Sequence, residues 1–223
     1  MILDVSFSEN LKHQNIGKWH RILGHKFIIE IAEDILPITK FVFYLKQDLN
    51  FLESYCSLLA AASRIVYDEE TKILFESLVD STTRYEMPIQ RDIIHKLEGD
   101  LKSIGVSPEK TTMDYVSYLK RVSESEDLPV ILSAMLPCPW TYYEISKALI
   151  RTDIKTEAFK WWIRFYSSAE SRKQINQIRK ILDNMAINVD EKKKTDMENH
   201  FSTSCNYEIE FWNMAYSSRT SVI

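Results

Sequence analysis

The sequence predicts an all-helical bundle of about seven to eight helices, folded as a single domain over residues 1–223. Three observations lead there. Four glycines and six prolines supply less than half of the roughly 12% that average usage gives. That is too few for the turns of a β-sandwich or barrel. Apolar residues recur in steps of three and four along most of the chain. Finally, 223 residues suffice to bury one large core.

The elements follow from the punctuation. Breaks are expected at Gly24-His25, Leu36 to Thr39, Val66 to Glu70, Lys102 to Lys110, Ser123 to Leu128, Arg151 to Lys155 and Ala186 to Lys192. Thr39 reads as an N-cap. After it Phe41, Tyr44, Asp48, Phe51, Tyr55, Leu59, Ala62 and Val66 form one buried stripe. Leu101 to Pro108 reads as a helix end with Gly105 as its stop, and Pro108 as the first position of the next helix. The charge runs Ser123 to Asp127 and Glu191 to Lys194 read as solvated helix ends or loops.

Composition narrows the function. With 28 basic and 32 acidic side chains, the net charge of -4 leaves no electrostatic footprint for nucleic acid. The four glycines never form a phosphate-binding loop. No stretch approaches the roughly 18 apolar residues of a membrane span, and mean hydropathy is -0.25. The segment Met1 to Asn10 carries Asp4 and Glu9 where a secretory signal would be basic and apolar, so a cytoplasmic location is expected. Cys56, Cys138 and Cys205 are odd in number and widely spaced, which suits neither a disulfide framework nor a metal site. A small-molecule or protein partner is the expectation.

Three polar groups interrupt apolar stripes, where an uncompensated charge costs several kcal/mol. Asp48 sits on the core face after Phe41 and Tyr44; it is either a boundary aspartate paired with a base or a carboxylate lining a pocket. Cys138 lies between Pro137 and Pro139 on the stripe Ile131, Ala134, Cys138, Tyr142, Ile145, Leu149. The prolines predict a bend that frees carbonyls beside the thiol, whereas an inert buried thiol is the alternative. Cys56 and Cys205 read as inert. Glu208 shares a face with Phe201, Ser204, Phe211 and Ala215, while Glu210 points away. Its carboxyl is either a structural partner of a tyrosine hydroxyl or a general acid whose pKa burial has raised. Tyr115, Tyr142, Tyr166 and Phe51 could wall a site for a flat, nitrogen-rich ring. Periodicity alone does not bring these helices together.

The segments Phe43 to Leu52, Ala134 to Glu144 and Tyr207 to Tyr216 resemble the three signature blocks of the TenA family, the thiaminase II or aminopyrimidine aminohydrolase enzymes. The resemblance implies a haem-oxygenase-like helical fold, a homotetramer, and hydrolysis of 4-amino-5-aminomethyl-2-methylpyrimidine to the hydroxymethylpyrimidine of thiamin salvage, with thiamin also cleaved. By matching position it implies Cys138 as nucleophile, Glu208 as acid/base and Asp48 as holder of the aminopyrimidine edge. Phe51, Tyr115, Tyr142 and Tyr166 would be pocket aromatics. No metal or organic cofactor is implied, and Cys138 places the chain in the cysteine-bearing branch. The chain departs from the common pattern at His25-Lys26-Phe27 (often His-Pro-Phe), at Gln90 (often histidine) and at Ser167-Ser168 (often Gly-Gly). The alternatives are a thiamin-pyrimidine binding or regulatory protein of the same fold, and a haem protein with His20 or His25 as ligand. A di-iron site is disfavoured because Glu86 is followed three residues later by Ile89, not histidine.

Overall fold

A computed structural model describes residues 5–66, 68–98 and 107–218. These residues form twelve α-helical segments and contain no β-strand: α1 (Phe7–Gln14), α2 (Ile16–Leu23), α3 (Lys26–Ala32), α4 (Ile38–Ile65), α5 (Glu69–Ser81), α6 (Met87–Glu98), α7 (Lys110–Ser123), α8 (Leu128–Met135), α9 (Pro137–Leu149), α10 (Glu157–Tyr166), α11 (Ala169–Ile187) and α12 (Glu191–Ser217). Three pairs continue almost without interruption, so the segments run as nine rods. α1 meets α2 at Asn15, α8 meets α9 at Leu136, and α5 passes into α6 through a π-turn over Thr82–Glu86.

The π-turn has a local cause. Pro88 cannot donate to the carbonyl one turn back, and its ring would clash there. The chain widens instead, and the Met87 N–H bonds the Thr82 carbonyl five residues earlier.

Long helices α4 and α12 carry the centre of the bundle, with α7, α8 and α9 packed around them. Their buried faces join one continuous apolar cluster that includes Trp19, Trp162, Trp212, Phe41 and Phe75. The stripe from Phe41 to Ala62 is buried along its length, and Val66 at its end is half-buried. Helix starts follow ordinary capping: Asp68, Asp127, Ser168 and Asp190 each accept a backbone N–H from the first turn with their side chains.

Two expected starts shift. α4 begins at Ile38 with Pro37 as its N-cap, so Thr39 lies inside the first turn; the fixed φ of proline, here -55°, sets the boundary without a hydroxyl cap. α7 begins at Lys110, two residues beyond Pro108. A side chain from α4 positions that end: Gln47 accepts from the Glu109 N–H at 2.9 Å and from the Thr112 hydroxyl at 2.7 Å. The expected stop at Gly105 lies outside the described residues.

Candidate active site

Five rods converge on a small internal cavity of about 70 Å3, room for several waters, with α11 contributing Ser171, Gln174, Ile175 and Ile178. α4 supplies Asp48, Leu52 and Tyr55, three and four residues apart and therefore on one face. The π-turn supplies Thr82 and Glu86; α9 supplies Cys138, Pro139 and Tyr142; α10 supplies Phe165 and Tyr166. Asp48 and Cys138, far apart in sequence, thus face the same space.

The prolines around Cys138 act differently from expectation. The bend is a helix break at Leu136, and Pro137 and Pro139 occupy the first turn of α9, where their missing N–H groups break no helical bond. The thiol is therefore carried on a helix N-terminus, whose partial positive charge favours a thiolate. Burial works the other way and, with the charges of Glu208, Asp48 and Glu86, pushes the thiol well above its ordinary range. At rest Cys138 carries its proton. Cys205, buried, and Cys56, half-buried, are likewise held protonated by burial and do not line the cavity.

Asp48 is 3% exposed. Its Oδ2 accepts from Gln90 Nε2 at 2.6 Å and from the Tyr44 hydroxyl at 3.4 Å, while Tyr44 accepts from the Trp162 indole N–H at 3.0 Å. Burial raises its pKa to about 7, against those two bonds, which favour the anion. The boundary reading of Asp48 does not hold: its partners are neutral and its position is internal. Gln90, which departs from the family's histidine, anchors this network, with its Nε2 also 3.4 Å from the Tyr166 hydroxyl. Its Oε1 is buried without a partner.

Glu208, 2% exposed, lies behind the cavity lining. The Tyr115 hydroxyl donates to its Oε1 at 2.9 Å. Burial is the main cause that raises its pKa to about 8, with the Asp48 charge adding and the Tyr115 bond opposing. Of the four sequence-assigned aromatics, Tyr142 and Tyr166 line the cavity. Tyr115 acts through Glu208, and Phe51 packs on the Tyr115 ring at a centroid distance of 4.8 Å. Tyr207 also stacks on the Tyr115 ring, at 4.8 Å and 6°.

Sequence reasoning missed Tyr55 and Glu86 as cavity residues. Tyr55 was visible on the Asp48 stripe one turn beyond Phe51. Glu86 is placed by the π-turn, for which Pro88 is the sequence signal. The Tyr166 hydroxyl donates to Glu86 Oε1, and burial, then the Asp48 charge, raises the Glu86 pKa to about 8.

The other departures fit their positions. Lys26 is the first residue of α3, where proline and other residues are interchangeable. Ser167 and Ser168 have φ of -87° and -63°, so no glycine is required there. His25 Nδ1 accepts the Phe27 N–H at 3.1 Å as the cap of α3, and its Nε2 lies 3.2 Å from Asn213 Oδ1; His20 is exposed. Among the described residues no group of three His, Cys, Asp or Glu could hold a metal ion, and no helix is long and apolar enough to cross a membrane.

An all-helical bundle with a thiol and carboxyls around one small buried cavity defines the class, and comparison with known proteins gives the family. The TENA/THI-4/PQQC family model matches residues 12–218, and the chain belongs to that family. It is 31% identical over 218 residues to an aminopyrimidine aminohydrolase of Halalkalibacterium halodurans, covering 96% of this chain and 97% of that one. A solved TenA homologue from P. horikoshii OT3 superposes with a TM-score of 0.86 at 24% identity, over 95% of this chain and 99% of the other. A Shewanella denitrificans domain described as having a haem-oxygenase-like fold superposes with a TM-score of 0.73 at 13% identity, over 97% and 93%. The fold is of that type.

Proposed function

We propose that the protein is an aminopyrimidine aminohydrolase, or thiaminase II. It would hydrolyse 4-amino-5-aminomethyl-2-methylpyrimidine, and thiamin, to the hydroxymethylpyrimidine and the free amine or thiazole. Family membership and the name of the Halalkalibacterium halodurans relative support the reaction class. The observation that carries it to this chain is the shared cavity of Asp48 and Cys138, with Glu208 close enough behind it to raise the thiol pKa.

In this reading Asp48 accepts from the ring's amino group, and Tyr142 and Tyr166 fix the ring plane. The Cys138 sulfur adds to an electron-poor ring carbon. Glu208 gives its proton to a ring nitrogen and takes the thiol proton in return, so the cavity gains no net charge. The dearomatised ring then breaks the bond to the exocyclic nitrogen, which leaves with its electron pair. Water adds to the methylene and loses a proton; the carbon-sulfur bond breaks, the ring nitrogen releases its proton, and aromaticity and the thiol return. The sum is one water consumed and one ammonium released per aminomethylpyrimidine. The acid is suited to pH near neutrality because its pKa is held near 8.

A homotetramer in the cytoplasm completes the proposal, on the family resemblance; light scattering should return four times 26.2 kDa. The decisive experiment is incubation of purified protein with the aminomethylpyrimidine. Ammonium should appear in step with the hydroxymethyl product. Tight binding of the pyrimidine with no ammonium would identify a binding protein instead.

A further inference from the structure

The aminohydrolase reading uses Asp48, Cys138 and Glu208 and leaves a second cavity-lining carboxyl, Glu86, without a task. Glu86 lines the cavity directly, whereas Glu208 does not. We propose that Glu86 is a specificity-determining residue, pairing with the positively charged nitrogen at the exocyclic methylene before that nitrogen leaves. The inference rests on the aminohydrolase reading and deepens it.

Position is the first support. Ser81, Phe165, Ser171 and Gln174 line both the inner cavity and a groove of about 430 Å3 on the surface. The groove and the cavity therefore adjoin across these four residues. Glu86 stands at the end of the π-turn that starts next to Ser81. It is therefore on the groove side of the cavity. Asp48, Cys138 and Glu86 line the same cavity, so a ring held by Asp48 with its reacting methylene turned to the groove side would bring that methylene to Glu86.

Charge is the second. Asp48, Glu86 and Cys138 can all become anionic, and the cavity lining contains no Lys, Arg or His. The groove lining likewise lacks bases and includes Glu170 and Asp80, the latter paired with Arg84 at 2.6 Å. A buried carboxyl without a cation keeps its proton, and a cation that enters displaces it. An ammonium or a thiazolium at the reacting methylene is such a cation. The hydroxymethyl product is neutral at that position, so hydrolysis removes the charge that Glu86 holds and favours release.

The third is the bond that fixes Glu86. Tyr166, a cavity wall, donates its hydroxyl to Oε1, which aims the carboxyl while leaving Oε2 free of that donor. Glu86→Gln keeps an oxygen for Tyr166 and nearly the same volume, so it removes the charge with little change of shape.

The test compares two ligands that differ only at the leaving position. In a Cys138→Ser background, so that the amine is not consumed, Kd is measured for the aminomethyl and the hydroxymethyl pyrimidine. Adding Glu86→Gln should weaken the aminomethyl ligand about tenfold or more and the hydroxymethyl ligand less than about threefold. Glu86→Asp, which keeps the charge, should recover part of the difference. Equal weakening of both ligands, or of neither, would overturn the assignment. The outcome is separable from the aminohydrolase reading, which fails if the protein with Cys138 intact releases no ammonium; the two affinities can then be compared on that protein directly.

Discussion

Asp48 and Glu208 are equally buried, each in the middle of a long helix, yet their surroundings differ. Asp48 on α4 accepts from Gln90 and Tyr44, which are themselves tied to Tyr166 and Trp162. Glu208 on α12 accepts from Tyr115, whose ring packs against both Phe51 and Tyr207. Two donors hold Asp48 near a pKa of 7, and one donor leaves Glu208 near 8. In the aminohydrolase reading the same residue class is divided into an oriented acceptor and a proton reservoir. Burial is nearly complete for both and is the main cause of both shifts; two hydrogen bonds oppose it at Asp48, whereas at Glu208 one bond opposes it and the Asp48 charge adds to it.

The largest test of that division removes the group that both carboxyls face. Cys138→Ser should lower kcat for ammonium release by a factor on the order of 1,000 or more, since a hydroxyl is a far weaker nucleophile than a thiolate. Pyrimidine affinity should stay within about threefold, read by calorimetry. Next, Glu208→Gln removes the acid and should cost about a hundredfold in kcat with little change in KM. Asp48→Asn should raise KM as well as lower kcat, because its task is positioning. If the two carboxyl variants show the same split between kcat and KM, the division of roles is wrong.

A smaller and sharper change is Tyr115→Phe. The lost hydroxyl bond had opposed the burial of the Glu208 charge. The Glu208 pKa should therefore rise, carrying the alkaline limb of the rate profile upward from about pH 8 while the rate at its maximum falls about tenfold. An alkaline limb that stays in place would show that Glu208 does not govern it.

The smallest effect is on stability. Asp48, Glu86 and Glu208 have folded-state pKa values of about 7, 8 and 8, above their ordinary values. In the folded protein each keeps a proton that the unfolded chain has already lost. Their contribution is thus fully present below about pH 4 and is lost as pH climbs toward 8. The melting temperature should fall between pH 5 and pH 8, and the fall should be shallower in Glu208→Gln. Asp34 and Asp68 act oppositely, since hydrogen bonds hold both below the ordinary range, and their effect is confined to more acidic solution.

Much of this was legible in sequence because it obeys helix geometry. The period of three to four residues put Asp48, Cys138 and Glu208 on inward faces, and the seven expected breaks all fall at or beside helix ends, apart from the part of the 102–110 break outside the described residues. What escaped depends on contacts between helices. Gln47 positions the start of α7 from across the bundle, so Pro108 misled as a local signal. Tyr115 and Phe51 were grouped with Tyr142 and Tyr166 as walls, whereas they stand one layer back, because periodicity reports an inward direction and not a depth. Gln90 could be seen as unusual, but its bond to Asp48 depends on how far the π-turn rotates α6.

That extra residue has a geometrical consequence. An α-helix turns about 100° per residue, so a rod that swallows one additional residue shifts the phase of everything beyond it. Excising a single exposed position such as Thr83 would force α5 and α6 to rejoin in a different phase, with Pro88 still unable to donate to the carbonyl one turn back. It would also swing Gln90 by about a quarter turn away from Asp48. The chemistry at one end of this rod is thus indexed by residue count at the other, and a one-codon deletion would be felt as a rotation rather than a shortening.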